Sequence, residues 1–300
     1  MQPQWDDIRV FLAVARDESL SGAGKKLKMD PATVGRRIAR LEASYGAPLF
    51  GKSPTGYALT DLGERLVEHA VQIEQSMEAA AEEVSGGKGT LKGHIRIGAP
   101  DGSANFLLPQ VCAEISRANP ELEIHIVALP RVINLSKREA DFVIAVSPPV
   151  AGRLMVQKIC DYQLSLAAAE SYLQGKPEIR SIEDVKAHKI VGYIPDMIFD
   201  KELDYLGQVG IEKPDFGSNS VSVQINWVRQ GAGIGFVHDF SLPMNPSVQR
   251  ILTDQVRLTR SFYLVRHQDD SRLERMNRFA TALSEGMRKE VARLEALVSP

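Results

Sequence analysis

Thr33, Arg36, Arg37 and Arg40 recur at helical spacing, and guanidinium groups on one helix face can contact phosphates or pair bidentately with guanine. Between residues 24 and 52, Lys25, Lys26, Lys28, Arg36, Arg37, Arg40 and Lys52 outnumber Asp30 and Glu42, a local charge of +5 in a chain of net charge -2. The whole-chain charge therefore hides a concentrated basic patch, the electrostatic footprint expected of a surface for nucleic acid. Asp30 and Pro31 open the predicted helix that carries these arginines, while Lys52 and Thr55 flank a predicted hairpin turn from which they can reach backbone phosphates.

A second group of residues follows predicted strand ends. Asp101, Gly102 and Ser103 follow the strand 95–99, Ser147 follows a strand ending at Val146, Asn219, Ser220 and Ser222 precede or open a helix, and His238 follows a strand ending at Val237. In open α/β sheets small ligands bind beyond the carboxyl ends of strands, often at helix N-termini, so these residues are the candidates for a ligand cleft.

Catalytic and metal chemistry find no equivalent pattern. There is no GxSxG, Walker A or HExxH sequence, and Gly231–Gly235 lacks the order and spacing of a dinucleotide fingerprint. The six histidines have no metal-ligand spacing and the two cysteines are too few for a disulfide framework or a four-cysteine zinc site. Neither an enzyme nor a cofactor is expected.

The elements that must hold these residues are readable from periodicity. Ile8, Phe11, Leu12 and Ala15 mark a first helix, Ser19 caps a short second one, and a tight turn at Lys28–Met29 leads to a third, bounded by Asp30 and Gly46. Residues 49–60 read as a hairpin. Thr60 then caps a long helix in which Leu62, Leu66, Ala70, Ile73, Met77, Ala80 and Val84 approach a heptad seam, the pattern of a dimerising helix. The glycine-rich run Ser85–Gly89 ends it. From His94 strands alternate with helices, which implies an α/β fold with a largely parallel sheet, closed by a helix from about Arg272 to Leu297.

Several ordered blocks resemble the LysR-type regulators: Phe11–Ala15, Ser19–Ser21, the RRIARLE run from Arg36 to Glu42, Gly46–Phe50 and Leu59–Gly63. Gly93–Gly98, Arg138–Asp141 and Gly231–Phe236 resemble that family's effector-binding domain more loosely. The sequence departs from the commoner family pattern in Asp30-Pro31-Ala32, Gly35 and Asp101. The resemblance implies a multidomain α+β and α/β chain: an N-terminal winged helix-turn-helix, a long linker helix, and a C-terminal two-lobed domain like periplasmic binding proteins. The expected bounds are 1–60 for the DNA-binding domain, 61–92 for linker and hinge, and 93–300 for the effector domain. Within the last, one lobe takes about 93–164 and 267–300 and the other about 165–266.

The expected partners are double-stranded promoter DNA, a small-molecule effector, a second copy of the chain in a dimer or tetramer, and RNA polymerase as a further candidate. No signal peptide or membrane-length apolar run is present, so a cytoplasmic location is expected. Two other readings fit parts of the chain: an architectural DNA-binding protein without a working effector site, and a solute-binding protein, which the basic N-terminal helices oppose.

Overall fold

A computed structural model describes residues 3–53, 56–84, 91–128, 140–149 and 152–298. The chain divides into two compact units, one comprising Met1–Gly87 and Arg272–Glu274, the other Lys88–Ser271 and Arg275–Pro300.

The first unit is built from α1 (Trp5–Asp17), α2 (Leu20–Leu27), α3 (Pro31–Tyr45), the hairpin β1 (Phe50–Ser53) and β2 (Gly56–Leu59), and α4 (Asp61–Val84). Local chemistry sets each boundary. Ser19 Oγ accepts from Gly22 N at the start of α2, and Asp30 Oδ1 accepts from Ala32 N at the start of α3, with Pro31 in the first turn. Lys28 adopts a left-handed conformation between α2 and α3, and Gly46 does the same after α3. Thr60 Oγ1 accepts from Gly63 N as α4 begins. The core gathers Phe11, Leu12 and Val14 of α1, Val34, Ile38 and Leu41 of α3, Leu49, and Ala70 of α4. The hairpin docks through Tyr57 N, which donates to Glu18 O. Gly63 permits α4 to cross the strand entry, because a Cβ there would lie 2.2 Å from Leu49 O.

The second unit continues with β3 (Gly93–Ala99), α5 (Asp101–Phe106), α6 (Leu108–Ala118), β4 (Leu122–Ala128), β5 (Phe142–Ala145), β6 (Leu154–Ala169), α7 (Glu170–Leu173), α8 (Ile182–Lys186), β7 (Ile190–Gly192), β8 (Phe216–Gly217), α9 (Val221–Arg229), β9 (Ile234–His238), β10 (Val248–Arg250), β11 (Arg257–His267) and α10 (Glu274–Ala296). Its strands run in the order β4-β3-β5-β11-β6-β9-β7-β8, with β10 on β6. The pairs β3/β4, β3/β5, β7/β8 and β7/β9 are parallel. The pairs β5/β11, β6/β11, β6/β9 and β6/β10 are antiparallel, which corrects the expectation of a largely parallel sheet.

The reason is that β6 and β11 are long neighbours that carry the chain between two lobes. One lobe has β3, β4 and β5 with α6 and α10; the other has β7, β8, β9 and β10 with α9. The first packs Phe142 against Phe279 of α10 at 5.3 Å between ring centroids, and the second buries Val191, Ile225, Val228 and Val237. The register of β11 on β6 shifts between Phe262 and Tyr263, a bulge in the paired crossing strands.

Candidate functional site

The third helix presents two kinds of arginine. Asp7 of α1 is 2% exposed, and both its oxygens are taken by Arg40, with Nε to Oδ2 at 2.6 Å and Nη2 to Oδ1. Arg37 Nη1 approaches the same carboxylate at 3.5 Å and Asp6 at 3.7 Å. A buried carboxylate needs such partners, so these two arginines fasten α3 to α1. The sequence-based expectation of three free guanidiniums is corrected accordingly: one face of a helix can still be the face its neighbour leans on.

Arg36 is exposed and spends one Nη2 hydrogen bond on Thr33 Oγ1 at 3.1 Å, with no carboxylate in reach among the described residues. Lys25 is likewise exposed, whereas Lys26 is tied to Asp17. Asp30 is committed to capping, and Pro31 is exposed beside it in the first turn of α3. Lys52 lies on β1 and Thr55 falls outside the described residues. Glu42, which sequence reasoning left unassigned, accepts from Leu49 N at 2.8 Å and Phe50 N at 3.2 Å and so sets how the chain leaves α3 for the hairpin.

Along α4 the expected seam divides. Leu62, Leu66 and Ala70 pack into the unit's own core, while Ile73, Met77 and Ala80 are exposed and the side chain of Val84 lies outside the described residues.

In the second unit the residues at the strand ends converge where the lobes meet. Asp101, the first residue of α5, receives hydrogen bonds from Ser222 N at 2.8 Å and Ser220 Oγ at 3.1 Å through Oδ2, and from Asn105 Nδ2 through Oδ1. It thus caps α9 from the opposite lobe. The positive end of that helix, where an anion would sit, is filled by the protein's own carboxylate. Gly102 lies against the His238 ring, since a Cβ there would fall 3.3 Å from Cε1.

His238 is buried, stacked on Tyr162 at 5.5 Å and tilted against Phe240 at 4.9 Å. Burial pushes its imidazole down to about 4, with Asp101 pulling the other way, and its Nδ1 has no hydrogen-bond partner among the described residues. Ser147 Oγ bonds Asp200 Oδ2, a second link between lobes. Ser103 turns away: it is 1% exposed and donates to Pro100 O. Asn219 is half-buried just before the cap of α9.

A cavity of about 430 Å³ opens beside this junction, walled by Val191–Tyr193 and by the segment from Pro195 to Pro214, with Gln224 and Phe236. None of the strand-end candidates lines it. Its segment is a string of short 3-10 turns, Pro195–Met197, Lys201–Leu203 and Gly207–Val209, which carry no periodic signal; the density of acids and aromatics between Tyr193 and Tyr205 was the available cue. The cysteines stand apart from it. Cys112 is buried on α6 and Cys160 half-buried on β6, and burial pushes their thiols up to about 12 and about 11.

The description "Bacterial regulatory helix-turn-helix protein, lysR family" matches residues 5–64, and "LysR substrate binding domain" matches residues 88–288. The chain belongs to the LysR family of transcriptional regulators. Among curated LysR-type relatives, the HTH-type transcriptional activator TtdR of Escherichia coli K12 is 28% identical over 77% of this chain and 76% of its own length. The regulator DgdR of Burkholderia cepacia is 32% identical over 45% of this chain and 47% of its own length. In fold, full-length OxyR of Pseudomonas aeruginosa superimposes with a TM-score of 0.73 at 16% identity, covering 96% of this chain and 98% of that one. CrgA of Neisseria meningitidis gives 0.58 at 23%, covering 94% and 98%. In LysR terms, α2 and α3 are the helix-turn-helix, the hairpin is its wing, and the second unit is the effector-binding domain.

Proposed function

We propose that this LysR-type regulator binds promoter DNA as a dimer or tetramer in the cytoplasm, without catalysing a reaction, and that a small effector at the lobe junction sets its activity, with RNA polymerase as a further partner. The observation that carries the reading is the division of labour on α3: Arg37 and Arg40 are held by Asp7, which fixes the helix, and Arg36 is left exposed beside Thr33. A helix oriented by internal ion pairs and presenting one uncommitted guanidinium suits insertion into a major groove. Lys25 and the wing residues Lys52 and Thr55 add phosphate contacts, and Ile73, Met77 and Ala80 of α4 supply the apolar surface for a partner helix.

A ligand shifts such an assembly only by binding one arrangement of the lobes better than another, and the Asp101 and Ser147 links are contacts that hold the lobes in the arrangement described. The test is a mobility-shift titration with DNA from upstream of the coding region, with competitor and at several salt concentrations. Arg36→Ala is expected to weaken specific binding by about 1 to 3 kcal/mol without altering thermal stability. Unchanged affinity in that variant would remove Arg36 from the reading face.

A further inference from the structure

The cavity in the second lobe has a charge and a wall that together select a ligand class. Among the described residues that line it, Asp200, Asp204 and Glu212 stand against one cation, Lys201, so the described rim carries an excess of negative charge. Its walls include Tyr193, Phe199, Tyr205 and Phe236, whose ring faces attract cations as well as apolar groups. Tyr205 is 4% exposed on the cavity wall, with its hydroxyl beside that of Tyr162. The junction next door is closed to anions, because Asp101 already holds the two donors at the start of α9. Tyr205 joins the two places, with its ring 6.3 Å from that of His238.

We propose that this cavity binds a small organic cation, an amine on an apolar body, and that Asp101 and the acidic rim turn carboxylates away. The volume of about 430 Å³ is within the usual range for small-molecule sites. The ammonium sits toward Asp204 and Glu212, the apolar body against the aromatic walls, and the chain distinguishes ligands by charge at one end and shape at the other. The proposal rests on reading the second unit as an effector receptor and adds to it the effector's chemical class.

Three probes of nearly one shape separate the possibilities: phenethylamine, phenylacetate and 2-phenylethanol, titrated into the full-length protein by calorimetry at neutral pH. Phenethylamine is expected to bind roughly tenfold more tightly than phenylacetate, with the alcohol between them. Asp204→Asn combined with Glu212→Gln, both at exposed positions, is expected to abolish the amine's advantage over the alcohol while the alcohol's own affinity stays unchanged. Glu212→Gln alone, with circular dichroism as a fold check, keeps the comparison interpretable if the double variant is unstable.

Phenylacetate binding as well as the amine would overturn the proposal, as would an amine affinity indifferent to both variants or no binding by any probe at millimolar concentration. Fluorescence anisotropy of labelled promoter DNA on the same preparation keeps the two readings distinguishable. Specific DNA binding with no preference for the amine sinks the ligand class alone, whereas amine binding with no specific DNA binding counts against the regulator.

Discussion

Asp7 organises more of the DNA-binding unit than any basic residue does. Asp7→Asn leaves Arg40 with a weaker partner and is expected to destabilise the first unit by about 1 to 3 kcal/mol. Urea denaturation followed by circular dichroism would read this, in contrast to Arg36→Ala, which should act on DNA affinity alone. The pairing was not legible in the sequence. Helical spacing places residues on a face but does not say which neighbouring element that face meets, so Arg37, Arg40 and Arg36 looked alike.

His238 gives a second residue-scale expectation. Its folded value of about 4 lies below the ordinary 6.5, so the unfolded chain takes up the proton first as pH falls. Its stabilising contribution is therefore complete above about pH 6.5 and lost progressively as pH drops toward 4, a difference of about 3 kcal/mol. Denaturation at pH 7 and pH 5 should show a stability drop in the parent that is reduced in His238→Gln. Equal drops would assign the pH dependence elsewhere.

Elements were readable where their signals are local. Ser19, Asp30, Gly46 and Thr60 mark helix ends because a cap needs only its own side chain or backbone angle and the next few amides. The crossing strand β6 is legible only in part, for the opposite reason: residues 164–168 form its buried run, whereas residues 155–158 are exposed and lack the apolar alternation by which a strand is recognised. The break at Leu107 between α5 and α6 carries no local signal either, since its apolar neighbours continue helical spacing across it.

Tight crossings between elements offer a test. A Cβ at Gly63 would meet Leu49 O at 2.2 Å and Leu59 Cδ2 at 3.0 Å, and a backbone oxygen cannot rotate aside. Gly63→Ala is expected to cost about 1 to 3 kcal/mol and to loosen the wing, seen as a lower melting temperature and weaker DNA binding together. A neutral substitution would mean that α4 can shift without penalty.

For the whole molecule, the decisive question is how many wings touch DNA at once. Ile73→Asp with Met77→Asp places charge on the exposed half of the α4 seam while sparing Leu62, Leu66 and Ala70, which serve the unit's own core. Sedimentation should find the variant as a monomer with its helices intact, and the salt dependence of its DNA binding should fall to roughly half the parent slope, because half the phosphates are then contacted. A variant that remains dimeric would place the interface elsewhere. The general plan of DNA-binding helices followed by an α/β domain was legible because caps, charge and periodicity agree along the chain. The cavity was not, since the segment that walls it runs through short 3-10 turns that carry no periodic signal.

The two cysteine thiols bear on how such a regulator keeps time. With thiols held near 12 and 11, only about one Cys112 in 10⁵ and one Cys160 in 10⁴ is a thiolate at neutral pH, and the thiolate is the form that oxidants attack. A sensor that is oxidised remembers its signal until a reductant erases it. Thiols of this kind lend the molecule little such memory; under the function proposed above, its state follows the concentration of a bound effector and resets as fast as that ligand leaves.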